Sequence, residues 1–191
     1  FVGTMARFTR WLVPDRDEGK MEKKLVHLST VIPAPSLALA EADQGIKKMA
    51  DVVRKMMVLS FELFQNDKNR DRIDNIFRYE KIIDEFQYEL SKFLYKVLPQ
   101  ALTKDEQKTA RKMLAITEEL ESIGDNFERI TKYYNRLRNH KKSFSPAMQK
   151  DLEEIFKLCD RQYTICFDGL ETGTHETQRK VEVIDDNLSR L

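Results

Sequence analysis

The chain has 191 residues, of which 41% are hydrophobic and 34% charged, and its 33 basic and 32 acidic side chains leave a formal net charge of +1. The apolar share suffices for a sizeable core of one domain or somewhat more and excludes a disordered chain. The balanced charge gives no general electrostatic reason for a nucleic-acid partner, and no apolar run is long enough to span a membrane within this sequence.

Residues 1–33 read as a juxtamembrane amphipathic segment and linker. The chain opens on Phe1-Val2-Gly3 rather than methionine, as expected of a piece of a longer polypeptide. In residues 1–13, apolar side chains mix with Trp11, Arg7 and Arg10. Such a composition suits an interfacial anchor with its arginines on the cytoplasmic side. A loose amphipathic helix capping a bundle is the other reading.

From residue 34 the chain reads as an all-α, antiparallel bundle of long helices. Glycine and proline are almost absent from Ser36 to Leu98 and from Ala101 to Ser145, where Lys, Glu, Leu, Met and Arg abound. A first helix is expected from Ser36 to about Gln65, with Ile46, Met49, Val53, Met56 and Leu63 inside and Ser60 as the weak point. Asn66 to Asn69 form the turn. A second helix runs from about Asp71 to Leu98. Its stripe of Ile76, Tyr79, Ile83, Phe86, Leu90, Phe93 and Val97 keeps a helical spacing without a gap.

Thr103 and Glu106 have the capping-box spacing, so a third helix begins there and runs to about Asn139. Its expected inner face is Met113, Ile116, Leu120, Ile123, Phe127, Ile130, Tyr134 and Leu137. Ser145 as N-cap and Pro146 as first helical residue start a fourth helix carrying Leu152, Phe156, Cys159, Tyr163, Cys166 and Leu170. The two cysteines, about 10 Å apart on one helix, cannot form a disulfide and read as reduced core thiols. A fifth helix starts near Thr174 with Val181, Ile184, Leu188 and Leu191.

Helices two and five share a pattern. Glu80 and Asp84 in Glu80-Lys-Ile-Ile-Asp-Glu85 align with Glu182 and Asp186 in Glu182-Val-Ile-Asp-Asp-Asn187. The bundle therefore reads as two three-helix repeats, one over about 36–139 and a second, incomplete one over about 145–191. Helix three adds a third pair, Glu121 and Asp125. Carboxylates four apart on a helix are neighbours that repel. They call for compensating cations, such as Lys81 or Arg129, or for a role. Carboxylates presented from adjacent helices suit a hard divalent cation or an iron-type ion. A solvated acidic face is the alternative, because Glu-x-x-x-Asp is a common spacing in so charged a chain.

The segment Glu119-Leu-Glu-Ser-Ile-Gly-Asp125, followed by Glu128-Arg129-Ile130, resembles the signature of PhoU domains, with Ser122 where that family usually has arginine and Glu119 where it often has aspartate. The resemblance implies two three-helix units with metal sites at the acidic motifs: Glu80, Asp84, Glu121, Asp125, Glu182 and Asp186. Phe8-Thr-Arg-Trp-Leu-Val-Pro-Asp15 and Ile32-Pro-Ala-Pro-Ser-Leu-Ala-Leu-Ala-Glu-Ala42 are similar to the junction between the last membrane helix and the cytoplasmic PhoU-like domain of bacterial Na⁺/phosphate cotransporter-like proteins. That resemblance implies a regulatory domain at the cytoplasmic face of the inner membrane. Its partners would be the membrane-spanning portion of the same polypeptide and inorganic phosphate, held through a metal. A free-standing phosphate-signalling adaptor and a ligand-free structural bundle remain the rival readings, and pairing with a second copy stays open.

The basic end of helix three, from Arg129 to Lys142, fits the helix macrodipole, and beneath a membrane it would also meet anionic lipid or the transporter's loops. His27, His140 and His175 show no ligand spacing. No nucleophile-base arrangement, phosphate loop or Cys-x-x-Cys motif is present, so the sequence offers no catalytic machinery.

Overall fold

The computed structural model describes residues 28–29, 32–65 and 71–172. The expected anchor with Arg7, Arg10 and Trp11, the turn at 66–69, and the fifth helix with Glu182 and Asp186 lie outside the described residues. Within them the chain forms four helices: α1 Pro35–Gln65, α2 Asp71–Val97, α3 Lys104–Asn139 and α4 Pro146–Thr172. None of them is long and apolar enough to cross a membrane.

The local chemistry of the helix ends accounts for these boundaries. Pro35 opens α1 at the one helical position where a missing N–H costs nothing. At α3 the capping box is complete. The Glu106 N–H donates to Thr103 Oγ1 at 3.3 Å, and the Thr103 N–H donates to Glu106 Oε2 at 2.8 Å. The Met148 N–H donates to Ser145 Oγ at 3.3 Å to cap α4. The C-terminus of α3 closes differently. Lys141 takes a left-handed conformation, φ 54°, while its N–H reaches Arg138 O and the Lys142 N–H reaches Leu137 O. This is a Schellman closure with lysine where glycine is usual.

α1, α2 and α3 pack mutually, and α4 lies along α1. Two clusters fix the antiparallel order. At one end Ala38, Leu39 and Ala42 of α1 meet Phe93, Leu94 and Val97 of α2 and Ala110 and Leu114 of α3. At the other end Phe64 of α1 stands edge-on to Tyr134 of α3 at 4.9 Å, and Arg72 of α2 ties back to the Glu62 carbonyl at 3.0 Å. α4 joins through Phe156, which lies 4.9 Å from Phe61, through an Arg54–Asp160 ion pair, and through the Tyr163 hydroxyl, which donates to Ala50 O at 2.6 Å.

The expected stripes of α1 and α2 are buried throughout, and Ser60 is accommodated by donating to Met56 O at 2.9 Å. The seam of α3 differs from expectation. Its buried positions include Ala110, Thr117, Gly124 and Thr131, small residues seven apart, while Met113, Ile116, Ile123, Phe127 and Leu137 flank them half-buried. Ile130, expected inside, is 39% exposed. Cys166 is likewise exposed rather than a core thiol.

Candidate metal centre

α2 and α3 approach closely at Gly124. A Cβ placed there would lie 3.0 Å from Ile83 Cδ1 and 3.3 Å from Ile83 Cγ2, so only glycine lets the helices come this near without a shift. Ile83 precedes Asp84 and Gly124 precedes Asp125. The contact that joins the helices therefore sits one residue from a carboxylate on each.

The outcome is a convergence of Glu80, Asp84 and Asp125, each offering an oxygen within 4.8 Å of the others. Glu80 and Asp125 are half-buried and Asp84 is exposed. Burial raises the Glu80 carboxyl to about 7, with further contributions from the Asp84 charge, a hydrogen bond with Asp84, and the charges of Glu128 and Asp125. Glu121 stands beside this triad. Burial first, then Asp125 and Asp84, push its carboxyl above the ordinary range.

The cations suggested as compensation do not fill this role. Lys81 and Arg129 are exposed, and among the described residues neither makes an ion pair with Glu80, Asp84, Glu121 or Asp125. Close in sequence to Asp125, Lys132 pairs with Glu128. Glu128 is the residue that spacing had not singled out. It lies seven residues after Glu121 and three after Asp125, so a search at both helical spacings, rather than for i,i+4 pairs alone, would have found it.

Three carboxylate oxygens converging from two helices form a donor set that fits a hard cation. The three also leave coordination positions open for oxygen ligands from elsewhere. Glu182 and Asp186 lie outside the described residues, so the corresponding pair of the second repeat adds nothing to this geometry.

An all-α bundle carrying an acidic cluster on the α2–α3 face is thus the class of protein that the fold and site define. Comparison with protein families matches residues 46–134 to the PhoU domain. The match takes in most of α1, all of α2, α3 as far as Tyr134, and the whole acidic cluster. Searches of curated proteins and of solved structures gave no match.

Proposed function

We propose that this chain is the cytoplasmic regulatory PhoU-like part of a sodium-coupled inorganic phosphate transporter, acting in phosphate uptake and homeostasis. The PhoU match over residues 46–134, with Glu80, Asp84 and Asp125 converging inside it, is the observation that carries the phosphate-regulation reading. Its assignment to a transporter draws on the similarity of residues 8–15 and 32–42 to the cotransporter junction.

Glu80, Asp84 and Asp125 would hold a divalent or iron-type cation, with Glu121 beside them. Such a cation would give phosphate an attachment that carboxylates alone refuse through like charge. The protein's own part is positional. The Gly124–Ile83 contact sets how far apart the carboxylates of α2 and α3 stand. Neutralising their repulsion favours the tight α2–α3 register, and α1, packed on both helices, passes that preference towards the segment before Pro35.

The test is metal analysis of protein purified without chelator, for the natural chain and for Asp84→Asn/Asp125→Asn. Bound metal in the first and little in the second is expected, together with altered phosphate uptake by cells carrying the substitution in the intact protein. Equal metal content would remove the site. Unchanged uptake would instead favour the free-standing adaptor, for which binding to a transporter ATPase or sensor kinase is the corresponding assay.

A further inference from the structure

Charge is segregated along this chain. From Arg129 to Lys150 there is no acidic residue, while seven lysines and arginines occur; with +1 overall, the remainder is net negative. The structure gathers this stretch at the end of the bundle where α3 finishes and α4 begins, away from the Pro35 end of α1. The macrodipole explains cations in the last turn of α3, Arg136 and Arg138, but its reach ends there. It does not explain Arg129, two turns earlier, or the hydrophobic groups left in water between these cations.

Those groups have a definite arrangement. Tyr133 is 57% exposed, and the Arg136 guanidinium lies over its ring at 4.6 Å. Ile130, one turn before it, is 39% exposed. Arg129, Tyr133 and Arg136 share one helix face, with Ile130 at its edge. Beyond them Lys141, turned outward by its left-handed backbone, and Lys142 are exposed.

We infer that this face is a docking surface for an anionic membrane. A tyrosine and an aliphatic side chain set among arginines and lysines, in a stretch without acidic residues from Arg129 to Lys150 and with Glu128 at its edge paired to Lys132, match the boundary between lipid headgroups and acyl chains. An acidic protein segment would use the cations but would leave Ile130 and the Tyr133 ring without a counterpart. The surface stands apart from the transporter reading, because a free adaptor would carry it equally well. In a chain also held at its N-terminus, it would lay the helices along the bilayer.

The probe is sedimentation with vesicles of phosphatidylcholine, with or without phosphatidylglycerol, at low and high salt. All proteins carry Arg7→Gln/Arg10→Gln, so that any anchor in residues 1–13 is weakened equally. Binding to the phosphatidylglycerol vesicles that fades at high salt is expected. Each cation at such a surface contributes about fivefold, so Arg129→Gln/Arg136→Gln/Lys141→Gln/Lys142→Gln should lower the partition coefficient several-hundred-fold, by rough estimate. Ile130→Ser should also weaken the binding seen at low salt. The control Lys104→Gln/Lys108→Gln/Arg111→Gln/Lys112→Gln removes as much charge from the other end of α3 and should bind as before. No binding, or equal loss in both quadruple variants with circular dichroism unchanged, overturns the inference. So does unchanged low-salt binding by Ile130→Ser combined with full competition by polyglutamate, which would assign the face to an acidic protein.

Discussion

Gly124 on α3 and Ile83 on α2 touch where a Cβ on the glycine would stand 3.0 Å from the isoleucine Cδ1. Alanine at this position would gain about 1 kcal/mol of helix propensity yet overpack a core side chain at a cost of about 1–3 kcal/mol. Gly124→Ala should therefore lower stability by about 1 kcal/mol in urea titration. Ile83→Val, which removes the clashing Cδ1, should recover much of that loss in the double variant. Additive effects would mean that the contact is not what limits the helix approach.

Stability should depend on pH through Glu80. Its folded pKa of about 7 lies above the ordinary value of 4.5, so between these values the folded state binds more protons than the unfolded chain. Unfolding free energy should then fall as pH rises from about 4.5 to about 7 and level off above, to the extent that Glu80 governs it. Glu80→Gln should flatten this slope. A slope of the same size in that variant would assign it to other groups.

Lys141 closes α3 with a positive φ, a conformation costing a lysine about 1–2 kcal/mol that glycine avoids. Part of the gain is lost to the greater freedom of glycine in the unfolded chain. Lys141→Gly should still raise stability by about 0.5–1 kcal/mol, seen as a higher midpoint in thermal melts. A lower midpoint would show that the lysine side chain contributes more than its backbone costs.

Tyr163 links α4 to α1 through its 2.6 Å hydrogen bond to Ala50 O, and burial pushes its phenol pKa upward. Tyr163→Phe removes this second hydrogen bond from the carbonyl of buried Ala50 and should cost about 0.5–1.5 kcal/mol. Hydrogen exchange should quicken in α4 more than in α2, because α4 packs mainly on α1, with Phe156 reaching Phe127 of α3, whereas α2 packs along both α1 and α3. Uniform quickening would show that α4 unfolds together with the bundle.

The helix boundaries were legible because local chemistry determines them: Thr103 with Glu106, Ser145 with Pro146, and proline before α1. The stripes of α1 and α2 were legible because large side chains fill them. α3 was misread for a related reason. The reading followed bulky residues, whereas burial on α3 falls largely to Ala110, Thr117, Gly124 and Thr131, whose smallness brings the neighbouring helices in. Favouring bulk put Ile130 inside, although it lies in water. The acidic pairs were visible as spacings. That Glu80 and Asp84 meet Asp125, with Glu128 close by, depends on the register between two helices, which includes the close Gly124–Ile83 contact and which neither helix records alone.

The buried hydroxyls bear on how such a bundle responds to load. Ser60, Thr117 and Thr131 each donate to the carbonyl four residues earlier on their own helix. Each is satisfied without reaching a neighbour, so none acts as a rivet between helices. These positions resist separation, which would wet the surrounding hydrocarbon, but they oppose lengthwise sliding only through the shapes of small side chains. A force applied along one helix would meet little resistance from these hydroxyls, so the load between helices falls to side-chain shape and to the few polar ties such as Arg72 to the Glu62 carbonyl.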